Sequence, residues 1–176
     1  MGAVSGQQTG GLVGLNVYGG QVNTSYWNTE TSGQSTSQGG TGLSSEQFKQ
    51  GSSFAFINAD SKLGGTDTVW RIYEGNTVPL LRSFLTELEL NTLNQTTIYN
   101  GQTQTLDLTG LDVNELFIAS GSSGGTNAGT YTVNYYSDQQ GYDLIGDSAT
   151  LTINKAQATV TANSKTTTYN GLEQSV

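Results

Sequence analysis

The chain has 176 residues, of which 34% are hydrophobic and 11% charged, with a net charge of −8, one Pro and neither Cys nor His. Ordinary soluble domains carry about a quarter charged residues. The negative balance argues against nucleic acid and anionic lipid, whose phosphates call for Lys and Arg; the missing Cys removes disulfides and thiolate metal sites, the missing His removes the usual nucleophile–His catalysis, and no apolar run approaches the roughly 18 residues of a membrane span.

Gly, Ser, Thr, Asn and Gln fill the space left by charge. Thr and Val are abundant, and there are 9 Tyr, 5 Phe and 2 Trp. Such residues suit a pleated, half-buried surface. Runs of Ala, Leu, Glu and Lys that would support long helices are missing. An all-β protein is expected.

Met1-Gly2-Ala3 leads straight into polar repeat sequence with no signal peptide, as expected of a fragment with an added start Met. In residues 1–43, short apolar pairs alternate with Gly and Asn, as in Gly10-Gly11-Leu12-Val13-Gly14-Leu15-Asn16 and Ser25-Tyr26-Trp27. That pattern suits rungs of a β-solenoid, with Gly or Asn taking the corners. Fewer than three rungs fit, so these read as the last rungs of a longer array.

Residues 44–86 form a bridge. Ser44-Ser45-Glu46-Gln47 before Phe48 suits a short helix start, with Gln47 in the capping-box position relative to Ser44. Phe54, Phe56, Ile57, Val69, Trp70, Ile72, Leu80, Leu81, Phe84 and Leu85 are too many large apolar residues for a linker. The segment is expected to cap the solenoid, whose open end would otherwise be an exposed sheet edge.

A repeat defines the remainder. Tyr99-Asn100-Gly101 and Tyr169-Asn170-Gly171 stand 70 residues apart in similar surroundings. One copy covers residues 87–156, and residues 157–176 open a second that is cut short. Alternation places strands at Glu87–Leu90, Thr105–Thr109, Thr130–Tyr135 and Ala149–Asn154. Asn100-Gly101 is a tight-turn signal, because both residues tolerate φ > 0. Ser120–Thr126 reads as a glycine-serine loop. Several short antiparallel strands, each with one apolar face, fit a small sandwich. The truncated copy cannot bury a core alone; it is expected to be disordered or to pair with an exposed edge.

These motifs carry a resemblance. Residues 10–48, including the stretch SYWNTETSG, resemble the GLUG repeats of bacterial surface proteins, and VWRIYEGNTVPLLRSFL (residues 69–85) is similar to the segment that commonly follows such an array. TNAGTYTVNY and SATLTINKA, within residues 126–156, look like an MBG-type bacterial immunoglobulin-like domain, although Tyr99-Asn100-Gly101 replaces the Tyr-Gly-Asp common there. Proteins with both elements resemble filamentous-haemagglutinin-like adhesins of the two-partner secretion type. The resemblance implies the end of a β-solenoid with a capping segment followed by an immunoglobulin-like β-sandwich module. It further implies a non-catalytic stalk segment of a secreted, cell-surface bacterial adhesin, serving cell adhesion or biofilm contact. Its partners would be a host-cell or bacterial surface glycan or protein and the adjacent repeats of the same protein, with no nucleic acid and no membrane insertion.

Candidate sites are sparse. A glycosidase needs two carboxylates flanking a bond, and Glu30, Glu46, Asp60, Asp67 and Glu74 are scattered. Asp138, Asp143 and Asp147 surround a loop and could supply oxygen ligands to calcium; ordinary loop charge is the other reading. Tyr26, Trp27, Tyr136 and Tyr142 could stack on a glycan or enter a partner, or close small cores. Arg71 and Arg82 could pair with Glu74 or Glu87. Asn23-Thr24-Ser25 and Asn94-Gln95-Thr96 match the glycosylation acceptor pattern, and Lys155 could form an isopeptide bond. Three functions are thus open: a structural segment, a binding module, and a carbohydrate-active solenoid enzyme.

Overall fold

A computed structural model describes residues 6, 8–57, 69–146, 148–162 and 164–173. The described chain is all-β: twelve short strands joined by turns and 3-10 segments, with no α-helix among the described residues.

The N-terminal part is held by parallel contacts between distant segments. β1 (Tyr26–Asn28) pairs in parallel with β2 (Thr41–Leu43), in the register Tyr26↔Thr41. Upstream of β2 the same stretch meets an earlier one: Gly11 N donates to Thr36 O at 3.0 Å and Gln38 N to Val13 O at 2.9 Å. The Ser37 hydroxyl accepts from Val13 N at 2.9 Å. Close stacking of this kind needs small residues. A Cβ on Gly11 would fall 1.9 Å from the Trp27 indole and one on Gly42 2.9 Å from it, so both positions must remain glycine for the indole to fit.

The bridge begins with reciprocal capping. Gln47 N donates to the Ser44 hydroxyl at 3.2 Å, and Ser44 N donates to Gln47 Oε1 at 2.9 Å. This is the expected box, but it starts only a 3-10 turn, Gln47–Lys49, followed by another at Gly51–Ser53. Gly and Ser at 51–53 are poor helix formers, which explains why no longer helix follows. β3 (Trp70–Arg71) and β4 (Leu80–Leu81) then form an antiparallel pair.

The remaining strands surround one core. β5 (Thr86–Glu89), β6 (Gln95–Ile98), β7 (Gln104–Thr105), β8 (Phe117–Gly121), β9 (Gly124–Gly125), β10 (Gly129–Tyr136), β11 (Tyr142–Ile145) and β12 (Ala149–Asn154) follow in order. A four-stranded sheet runs β6-β12-β10-β8, and β11-β5 and β7-β9 are separate pairs. β10 and β12 supply Val133, Tyr135, Ala149, Leu151 and Ile153 to the core, β11 supplies Leu144, and the 3-10 segment Leu90–Leu93 supplies its two leucines.

Three expectations need correction. The strands are not all antiparallel: β5 runs parallel to β11, and β6 parallel to β12. Ser120–Thr126 is not simply a loop, since it contains the end of β8 and all of β9. The strand expected at Thr105–Thr109 is only Gln104–Thr105; Leu106 is buried just beyond it. Gly-rich pairs such as Gly124-Gly125 carry no side-chain alternation, so only their ladder partners define them as strands.

The bridge contributes to both hydrophobic clusters. Ile72 packs with Leu43 and Phe54, while the next residue, Tyr73, and Leu80 belong to the core built on β10 and β12.

Candidate binding cleft

A concavity lies where the N-terminal segments meet the bridge. It encloses about 680 Å³, within the range of small-molecule sites. β1 presents Tyr26 and Trp27; the bridge presents Phe48, Phe54, Phe56 and Trp70; Val78 and Pro79 close one side. The aromatic rings support one another. Tyr26 meets Phe54 edge-on at 4.9 Å between centroids, Phe54 lies 5.3 Å from Phe56, and Phe56 lies 5.1 Å from Trp70. The Tyr26 hydroxyl accepts from Ala55 N at 2.9 Å, which fixes that ring against the bridge.

Among the described residues that line it none is Asp, Glu, Lys or Arg; Thr24, Asn28, Thr31 and Ser32 provide polar groups. Asn28 is already engaged, with Oδ1 accepting from Glu30 N and Thr31 N at 2.9 and 3.0 Å. The cleft therefore suits a neutral guest with an apolar face. Trp27 is buried at 7% exposure, and its indole N–H has no hydrogen-bond partner among the described residues. Trp27 thus forms part of the floor, whereas Trp70 is half-buried.

The other aromatic candidates lie elsewhere. Tyr136 stacks on Phe117 at 5.2 Å on the four-stranded sheet. The Tyr142 hydroxyl accepts from Asp112 N at 2.6 Å, which ties β11 to the 112–115 turn. They do not join Tyr26 and Trp27. The missed contributors were Phe48, Phe54, Phe56 and Trp70; their density marked a core, and only the fold leaves one side of that cluster open.

Acidic candidates are dispersed. Among the described residues, no group of three or more acidic side chains gathers as a metal site would require. Asp147, Asp60 and Asp67 lie outside the described residues. The Asp138 side chain accepts from Gln139 N at 2.8 Å. Glu30 accepts from Ser45 N at 3.1 Å, and hydrogen bonds from Ser45 hold its carboxyl below the ordinary range. Glu46 stands 3.8 Å from Lys49, and Glu74 accepts from Gly51 N at 3.1 Å. Asn94 Oδ1 accepts from Thr150 N at 2.8 Å, so this amide has a structural partner. Lys155 is exposed beside Tyr99 in a shallow recess of about 350 Å³.

Asp143 occupies a different setting from a calcium loop. It is 3% exposed, on β11, and its carboxylate takes both bridge arginines. Arg71 Nε stands 3.0 Å from Oδ1, off the line of an ideal hydrogen bond. Arg82 Nε donates to Oδ2 at 2.6 Å, and its Nη2 also contacts that oxygen. The Arg71 guanidinium sits 4.9 Å from the Tyr73 ring centroid, close enough for a cation–π contact. Tyr73 Oη donates to Tyr142 O at 2.6 Å and accepts from Leu144 N at 2.9 Å. Burial pushes the Tyr73 phenol above its ordinary range. Asp143 thus joins the bridge to β11.

The fold and this site define an all-β protein with an aromatic cleft at an internal junction. No family model, curated protein or solved structure matches the chain. Its function is therefore argued from residues and geometry.

Proposed function

We propose that the chain is a non-catalytic structural segment of a large, secreted bacterial surface adhesin. On this reading residues 1–43 are the final GLUG-like rungs of a β-solenoid, residues 44–86 cap it, residues 87–156 are an MBG-type immunoglobulin-like module, and residues 157–176 open the next. The observation that carries it is the bridge itself. Neighbouring residues Ile72 and Tyr73 enter different hydrophobic clusters, and Arg71 and Arg82 close on Asp143. A joint with two cores and a buried ion cluster holds orientation, as a spacer must. The parallel β1–β2 pairing, reached through a short non-helical connection, supports the solenoid reading.

Small-angle scattering on the whole chain tests it. A single elongated form is expected, and it should broaden into a distribution of shapes when Asp143→Asn loosens the joint. A compact globule, or a flexible ensemble already in the native chain, would reject the spacer role. Antibody raised against the chain should label the surface of intact producing cells.

A second reading is favoured by the cleft: a module that itself holds a neutral glycan or an apolar side chain of a surface protein. Glycan-array and calorimetric binding should then be lost in Trp70→Ala and kept in Tyr136→Ala. An equal loss in both variants, or no binding by the native chain, removes it.

A further inference from the structure

Asn is followed by Gly at only two places in the chain, Asn100-Gly101 and Asn170-Gly171, and Tyr precedes both. All four residues are exposed. An Asn in this setting can react with its own backbone. Glycine has no side chain to shield its amide nitrogen, which can attack the neighbouring Cγ carbonyl. In both turns that carbonyl oxygen already accepts a backbone N–H, from Gln102 at 2.9 Å and from Leu172 at 3.1 Å. Such a bond polarises the carbonyl and stabilises the charge that collects on its oxygen during attack.

The two turns differ in how far they can move. Ring closure requires rotation about the Asn Cα–C bond, to bring the next nitrogen against Cγ. Around Asn100 that rotation is opposed from both sides. Residues 95–98 are laddered to β12, and Tyr99 N donates to Asn154 O at 2.8 Å. Beyond the turn, Gln104 Nε2 donates to Ile98 O at 3.2 Å and to Asn100 Oδ1 at 3.3 Å, while the Thr97 hydroxyl bonds to Gln104 Oε1. Residues 165–168, by contrast, belong to no sheet. Tyr169 is 88% exposed where Tyr99 is 41% exposed.

We propose that Asn170-Gly171 is a self-modifying site, and that Asn100-Gly101 is the same site held unreactive by its sheet. The Gly171 nitrogen bonds to Cγ of Asn170 and the Cγ–Nδ2 bond breaks. The amide leaves as ammonia, carrying away the proton that the Gly171 nitrogen loses. Water then opens the cyclic imide at either carbonyl, leaving aspartate or isoaspartate. At neutral pH either product adds one negative charge to the chain. Aspartate keeps an oxygen that can accept from Leu172 N–H, so the turn persists. Isoaspartate runs the main chain through Cβ and Cγ, and the turn is lost. A copy of the repeat that is built into a sheet is spared, so the reaction marks a copy that is not.

Peptide mapping by mass spectrometry tests this on the whole chain, incubated at mildly alkaline pH. The mass gained when amide becomes acid is followed at each site. Asn170 should convert about tenfold or more faster than Asn100, which must wait for its turn to open locally. In urea both sites stand in open chain, and the two rates should become alike. Gly171→Ala should slow Asn170 about tenfold, because a Cβ crowds the attacking nitrogen, and leave Asn100 unchanged. Equal rates in the native chain, a faster Asn100, or no conversion at Asn170 overturn the proposal. So does a difference that survives in urea, which traces the effect to the residues after each glycine and not to the fold. An unslowed Asn170 in the Gly171→Ala chain overturns the cyclic route. The native chain in and out of urea decides without any variant.

Discussion

Tyr99-Asn100-Gly101 and Tyr169-Asn170-Gly171 form the same turn in different surroundings. In each, the Asn side chain accepts from the backbone N–H two residues on, at 2.9 Å from Gln102 and 3.1 Å from Leu172. In each the glycine is left-handed, with φ of +81° and +78°. The flanking residues then diverge. Residues 95–98 form β6, in parallel register with β12, whereas residues 165–168 belong to no sheet. Leu90 is 1% exposed, and Val160, at the matching place in the repeat, is 90% exposed. An Asx turn is complete within a few residues. A strand is not, because its hydrogen bonds and its buried face both come from elsewhere.

The largest expected effect concerns what anchors the first copy. Asp143→Ala leaves two guanidiniums, one of them 1% exposed, without their carboxylate; the expected loss is about 3–5 kcal/mol in urea unfolding. A loss below about 1 kcal/mol would mean that β5 and β11 hold together without the joint, and that anchoring does not distinguish the copies.

Next comes the core itself. Leu151 on β12 is fully buried, so Leu151→Ala should cost about 2–5 kcal/mol. Val160→Ala in the second copy should change stability by no more than about 0.5 kcal/mol. Similar costs at the two sites would show that residues 157–162 bury a face in solution.

The turns offer a finer comparison. Gly101→Ala and Gly171→Ala both place a Cβ on a left-handed residue, a local strain of about 1–2 kcal/mol. Only Gly101 borders a strand of the cooperative fold, so thermal unfolding should register the first substitution and not the second. Equal shifts would make the second turn part of the same unfolding unit.

The smallest effect is a dependence on alkaline pH. Burial raises the Tyr73 phenol above its ordinary value of 10.0. The native state therefore keeps this proton to higher pH than the unfolded chain does. The stability linked to it is complete below pH about 10 and is lost as pH rises through the folded value. Tyr73→Phe should flatten that decline while losing the bonds to Tyr142 and Leu144; an unchanged alkaline limb would place the cause at another tyrosine, such as the buried Tyr135.

Sequence alone reached what depends on neighbours along the chain. Alternation at Thr130–Tyr135 and Ala149–Asn154 marked β10 and β12, whose inward residues Val133, Leu151 and Ile153 are buried. Ser44 and Gln47 marked a reciprocal cap, Asn100-Gly101 a turn, and the poverty of helix formers an all-β chain. Tyr26 and Trp27 were singled out as aromatics, and both line the cleft. Tertiary structure alone decided the parallel pairing of β5 with β11 and of β6 with β12, the strand character of Gly124-Gly125, and the choice of Asp143 as the carboxylate of Arg71 and Arg82. Those outcomes depend on which distant segment supplies the other half of each hydrogen bond or ion pair. Residues far apart in sequence carry no periodic signal of one another, so only packing selects among their possible partners.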